Sequence, residues 1–271
     1  YARYGLRIIA LHFTPYSFAG DSTVVGAAAR RLGLRFPIAV VSASPPAALA
    51  AGRGPVVLWP GGGDSAPQWL STPSDANAFE ARLRARLRQA RPEANFPTDA
   101  SLGVARDAMP PAASRILALG TDRVERGPLR GVTADRAQPF VAPFRSEQEG
   151  QLDTPVPVGW WTPRRDALEA ARGGAANYLA IRYDAGPVGL VAGSSDGAAA
   201  KVWVLQDEHW VPGEEAGADL QVDAQGASFF LITGTRLYEV TRGGRHVLKL
   251  SPEVPGVRFY SMIFEAATAR P

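Results

Sequence analysis

The 271-residue sequence predicts an α/β domain followed by an all-β sandwich or jelly-roll domain, and three observations carry that division. Before residue 92, apolar β-rich runs alternate with segments of helical periodicity, as strands and crossover helices do when they share one sheet. Between Pro92 and Pro163 ten prolines interrupt every potential helix, so this stretch reads as a boundary and a set of loops. From Val158 onward, short runs rich in aromatic and β-branched residues alternate with glycine turns, the pattern of an antiparallel sandwich. The expected organisation is therefore residues 1–95 as the α/β domain, 96–157 as a proline-rich connection partly packed on the sandwich, and 158–271 as the sandwich.

The elements follow in order. Leu6 to Phe13, LRIIALHF, reads as a strand buried on both faces. A helix is expected from about Asp21 to Leu32, capped at its start by Asp21 or Ser22 and at its end by Gly33. Phe36 to Val41 gives a second strand, Ser44 to Gly54 a short helix, Pro55 to Trp59 a third strand, Ala66 to Ser71 a fourth, and Ser74 to Ala90 a long helix. In that last helix Phe79, Leu83 and Leu87, four residues apart, share one face, while Arg82, Arg84, Arg86, Arg88 and Arg91 occupy the rest. The sandwich strands are expected over Val158 to Thr162, Tyr178 to Tyr183, Val188 to Val191, Ala200 to Leu205, Ser228 to Ile232, Arg236 to Thr241, His246 to Leu250 and Val257 to Glu265.

Several functions are excluded or weakened by residue usage. The chain has no cysteine, which removes thiolate catalysis, thiolate metal sites and disulfides within these residues. His12, His209 and His246 lack the short spacing of paired metal ligands, so no metal and no cofactor is expected. The glycines of GRGPVVLWPGGGDS, residues 52–65, are followed by no lysine and open no helix, so the segment reads as strand, turn and strand rather than a phosphate cradle. GSSDG at 193–197 is not a nucleophile elbow and has no histidine tied to it. A formal charge of +3 gives no footprint for nucleic acid. No run of 18 or more apolar residues occurs, so any signal or membrane anchor is expected upstream of Tyr1.

The order strand, helix, strand, proline-led strand, glycine turn, strand, helix resembles the thioredoxin fold after its first strand and redox helix, both of which are expected to be missing. YGLRIIALHFTPYSFAGDSTVVGAAARRLGLRFPIAV, residues 4–40, is similar to the corresponding segment of periplasmic thioredoxin-like proteins. Pro55 sits where that family carries its cis-proline. Further on, Ser101 to Arg106, Arg236 to Val240 and Leu248 to Val254 resemble the carbohydrate-binding-module-like sandwich of fused thiol:disulfide interchange proteins of the DipZ type. The resemblance implies a periplasmic, extracytoplasmic location, while the absent Cys-x-x-Cys pair implies a redox-inactive relative, or one whose redox half lies outside this chain.

The expected function is thus a non-catalytic structural or accessory subunit, docked on other protein subunits of a membrane complex of the respiratory or photosynthetic type. Its contact candidates are the arginines of the long helix, Arg82, Arg84, Arg86, Arg88 and Arg91. The alternatives are carbohydrate binding and thiol-disulfide exchange by a missing half. For sugar or partner contact the candidates are Trp160, Trp161, Trp203, Trp210 and Tyr238, because aromatic faces stack on pyranose rings and anchor interfaces. In KVWVLQDEHW the alternation of a strand places Trp203 on one face with Lys201 and Leu205, and Val202 with Val204 on the other.

Overall fold

A computed structural model describes residues 8–13, 16–31, 33–41, 56–59, 68–71, 76–93, 115–122, 129, 131–141 and 152–266. The chain forms two compact units, Tyr1–Pro110 and Pro111–Pro271.

In the first unit, strand β1 (Ala10–Phe13) and strand β2 (Ile38–Val41) pair in parallel, with Ala10 opposite Ile38 and Phe13 opposite Val41. Parallel neighbours need a crossover, and helix α1 (Ser22–Arg31) lies between them in sequence. Its start is fixed by the Asp21 carboxylate, which accepts the Thr23 N–H at 2.7 Å. Its end is a left-handed Gly33 (φ 66°), with Gly33 N–H donating to Arg30 and Leu34 N–H to Ala29, so orphan carbonyls of the last turn are satisfied. Strands β3 (Val56–Trp59) and β4 (Gln68–Ser71) form an antiparallel pair, Val56 opposite Ser71, followed by helix α2 (Ala76–Ala90). The short helix expected at 44–54, the glycine turn and Pro55 lie outside the described residues.

One expectation needs correction here. LRIIALHF does not form a strand buried on both faces: strand β1 begins only at Ala10, and Ile8, Ile9 and Leu11 are 52%, 64% and 48% exposed. A two-stranded sheet offers one paired edge and little cover, so side chains of a buried-strand composition meet solvent.

Among the described residues, the second unit is one continuous antiparallel sheet of thirteen strands folded over a single core. Its strands are β5 (Arg115–Ala118), β6 (Gln138–Phe140), β7 (Val156–Pro163), β8 (Leu168–Ala170), β9 (Tyr178–Ala185), β10 (Val188–Ser194), β11 (Ala200–Gln206), β12 (His209–Trp210), β13 (Gln221–Val222), β14 (Ser228–Ile232), β15 (Arg236–Thr241), β16 (Gly244–Pro252) and β17 (Val257–Phe264). β5 and β6 arise within the proline-rich stretch and pair with β17 and β7. The fold-over occurs in β7, whose residues 156–158 pair with β9 while residues 159–163 pair with β6 and β8. Gly159 marks the switch, with φ 94° and no room for a Cβ, which would lie 2.4 Å from the Asn177 Oδ1.

The two halves meet through inward residues at alternate positions. β11 buries Ala200, Val202, Val204 and Gln206 and turns Lys201, Trp203 and Leu205 outward, as the alternation predicts. Across the core Tyr183 of β9 lies 5.9 Å from Phe264 of β17, and Phe230 of β14 lies 5.2 Å from Tyr238 of β15. These contacts are what make the folded sheet a sandwich rather than an open ribbon.

Candidate functional site

The sandwich aromatics divide into two groups, and burial decides which can touch a ligand. Trp161 and Tyr238 are fully buried. Trp161 packs on Phe259 at 5.8 Å and donates its indole N–H to the Val158 carbonyl at 2.9 Å. The Tyr238 hydroxyl donates to the Gly234 carbonyl at 2.7 Å and accepts the Thr233 N–H at 3.0 Å, pinning the turn before β15. Both are therefore corrected from contact candidates to core residues: each fills the sandwich and spends its polar group internally. Trp160 points the other way, half-buried under the Arg172 guanidinium, 4.5 Å from its ring centroid.

Trp203 and Trp210 stand together on the outer face of the β9–β16–β11–β14 half. Trp210 is 43% exposed, and its ring lies 5.9 Å from Trp203 at 55°; Trp203 in turn meets Phe229 at 5.6 Å and 65°. The placement follows from register, since Trp203 is opposite Phe229 and Leu205 is opposite Trp210, so all four side chains leave the sheet on one side. Leu231, opposite Lys201, extends the same face at 37% exposure.

The turn that delivers Trp210 is strained. Asp207 and Glu208 link β11 to β12 with φ of 50° and 66°, a two-residue hairpin turn in the left-handed region without the usual Asn-Gly. Side chains hold it there. The Asp207 carboxylate accepts the Val247 N–H at 2.8 Å and lies 2.6 Å from the His246 Nδ1, while Glu208 forms an ion pair with Lys249.

The chain's only two lysines both lie on this face, and the register of β9 with β16 puts Arg182, opposite Val247, on it as well. Lys201 Nζ lies 4.5 Å from both the Trp203 and Phe229 ring centroids, and Lys249 Nζ lies 4.9 Å from Tyr178. Lys249 is neutralised by Glu208; among the described residues no carboxylate bonds Lys201. The result is a partly exposed aromatic ridge with Lys201 lying over two of its rings.

Several other polar groups of this unit are committed to structure. Asp219 bonds Arg236 at 2.6 Å and the Glu239 N–H at 2.8 Å; burial pushes its carboxyl up, but these two donors hold it below the ordinary value. Glu169 behaves alike: burial raises it, and the Arg164 and Arg258 guanidiniums at 2.9 and 2.6 Å bring it below the usual range. Glu215 accepts from Gln206, and Ser194 donates to Asp196. Among the described residues no three His, Cys, Asp or Glu side chains are grouped to hold a metal ion.

In the first unit, Leu87 is buried and Leu83 half-buried, so helix α2 packs on the face that the spacing predicts. Arg82 and Arg88, with Arg91 just beyond the helix, are exposed; Arg84 and Arg86 are half-buried, and Arg86 donates to Gln89 at 3.4 Å. Sequence reasoning named these arginines, the half-buried Trp203 and the exposed Trp210 as contact candidates. It missed Phe229, whose partner Trp203 is set by a register between β11 and β14 that spacing alone does not reveal.

No curated protein matches the chain. A family model described as "Thioredoxin like C-terminal domain" matches residues 119–264, more than half of the 271 residues and nearly all of the sandwich. The chain therefore belongs to the thioredoxin-like C-terminal domain family.

Proposed function

We propose that this chain is a non-catalytic, extracytoplasmic accessory subunit that docks on and stabilises a membrane protein complex. The observation that carries the reading is the exposed arginine row of helix α2. Arg82, Arg88 and Arg91 stand in solvent around a helix anchored by Leu83 and Leu87, and among the described residues none of the three meets a carboxylate. The unit that carries them has twelve basic against seven acidic residues, a formal +5, whereas the sandwich has seventeen against nineteen, a formal −2. A charge asymmetry of this kind gives the first unit its own partner chemistry, an acidic protein surface.

Three supports accompany it. A thioredoxin-like relative without a single cysteine has no thiolate with which to exchange disulfides. The resemblance of residues 4–40 and of the sandwich to DipZ-type proteins favours an extracytoplasmic setting and a carbohydrate-binding-module-like second domain. Exposed guanidiniums also suit bidentate capture of partner carboxylates.

The test is charge reversal. The triple variant Arg82→Glu, Arg88→Glu, Arg91→Glu is expected to release the chain from its assembly at ordinary ionic strength while circular dichroism stays unchanged, since all three side chains are on the surface. Undiminished co-migration of the folded triple variant with the assembly contradicts the reading.

A further inference from the structure

The β11–β12 turn depends on Asp207, and every polar atom of that residue is engaged. Its N–H donates to the Val247 carbonyl at 2.9 Å, and one of its carboxylate oxygens accepts the Val247 N–H at 2.8 Å. The other carboxylate oxygen lies 2.6 Å from His246 Nδ1, and the Asp207 carbonyl lies 2.7 Å from His209 Nδ1. Two of the chain's three histidines therefore converge on one turn residue. A carboxylate and a carbonyl only accept, so each ring carries a proton on Nδ1 and leaves Nε2 as the atom that gains or loses one. The two bonds respond differently to that gain. A carbonyl has no charge, whereas the Asp207 carboxylate makes its bond to His246 an ion pair once that ring is protonated.

The rest of the fold shapes a seat for His246. Its ring lies 6.1 Å from that of Tyr183, its cross-strand partner on β9. A Cβ at Gly244 would collide with Nε2, so this glycine (φ 123°) leaves the room that the ring occupies. The side chain is 24% exposed, so water supplies and removes the proton. The other charged groups nearby have places of their own. Glu208 pairs with Lys249, Arg242 donates to the Ala216 carbonyl, and Glu215 accepts from Gln206, which in turn accepts from the Tyr183 hydroxyl. By the alternation of β9 and β16, Arg182, Asp184 and Arg245 belong to the opposite face of the sheet. Among the described residues Asp207 supplies the one carboxylate bonded to the ring.

From this arrangement we infer that the turn is a proton-operated latch: cationic His246 ties down Asp207, and with it the hairpin that seats Trp210 beside Trp203. A latch has work to do here, because Asp207 and Glu208 hold left-handed backbone at φ of 50° and 66°. Non-glycine residues stay in that region only where surrounding contacts over-determine it. The direction follows from linkage. A histidine that gains a carboxylate partner contributes fully on the acid side of its transition and loses that contribution as pH rises, so the turn tightens on acidification across the interval of about pH 8 to 5 in which histidine changes charge. The inference goes beyond the docking role, which rests on the arginines of the first unit.

The experiment is nuclear magnetic resonance of the whole chain from about pH 5 to 8, the same interval. The Val247 amide joins strand to turn, so its hydrogen exchange reports opening of the turn once corrected for the intrinsic pH dependence and referred to Leu250 at the centre of the same strand. Protection is expected to rise roughly two- to fivefold on acidification, the scale of a partly exposed ion pair, and to follow the titration of the His246 ring protons and the shift of the Trp210 indole N–H. His246→Gln, which keeps a donor without the titration, and Asp207→Asn are each expected to flatten the profile. His209→Gln is expected to retain it, because the carbonyl it leaves carries no charge. Val247 protection that stays constant in the unmodified chain while His246 titrates overturns the inference without recourse to any variant; so does a profile that survives His246→Gln. None of these readings involves Arg82, Arg88 or Arg91, so failure of the latch and failure of the docking role are distinguishable.

Discussion

At single residues the fold is most sensitive where backbone and side chain are both constrained. Gly159 combines φ 94° with a Cβ position 2.4 Å from Asn177 Oδ1, the atom that accepts the Trp160 N–H at 2.5 Å. Gly159→Ala therefore strains the point where β7 changes partners, and is expected to cost about 2 to 4 kcal/mol in urea unfolding. The buried Tyr183 hydroxyl donates to Gln206 and lies 3.2 Å from the Thr241 hydroxyl, and burial pushes its pKa up to about 12. A raised phenol contributes stability fully below its unfolded value of 10.0 and loses it as pH climbs toward 12. Tyr183→Phe should flatten the alkaline fall in stability over that interval, while costing about 1 to 3 kcal/mol at neutral pH through the stranded Gln206 and Thr241 groups. An alkaline titration followed by near-ultraviolet absorbance and thermal melts checks both. Gly159 could not be singled out from the sequence, because its role depends on Asn177, eighteen residues away, folding back onto it.

Among elements, aromatic and β-branched runs between turns were the most legible. Ser228–Ile232 and Arg236–Thr241 match their expected limits, since each is such a run cut off by turn residues. β5 and β6 were not legible as strands: both are short and lie in the proline-rich stretch, and each takes its place by pairing with a later strand, β17 and β7. The sites divided in the same way. Alternation in β11 correctly turned Trp203 outward, but no local pattern tells an inward Trp161 or Tyr238 from an outward aromatic; cross-core partners do that. The β8–β17 seam is held by Glu169 between Arg164 and Arg258. A lowered carboxyl stabilises above the unfolded value and loses that contribution as pH falls through the lowered one. With Asp219 and its partner Arg236 behaving alike, acid unfolding of the sandwich should steepen below about pH 4, and Glu169→Gln should blunt the steepening.

On the scale of the whole molecule, the chain joins a basic unit with an arginine-bearing helix to a larger sandwich that presents an aromatic face. Composition showed these residues to hold no cysteine, and the family match placed the sandwich among thioredoxin-like C-terminal domains. What the sequence could not convey is how the two Lys residues converge, because Lys201 and Lys249 are brought to one face only by the pairing of β11 with β16. The central claim is that the chain works as a docked subunit. The most direct measurement is its native mass after extraction from its own cells in mild detergent, compared with the denatured mass of the same polypeptide. The account predicts migration in an assembly several times the denatured mass, collapsing toward the single chain when Arg82, Arg88 and Arg91 are reversed to glutamate. Migration of the unmodified protein at its own denatured mass, with no associated subunits, would contradict it.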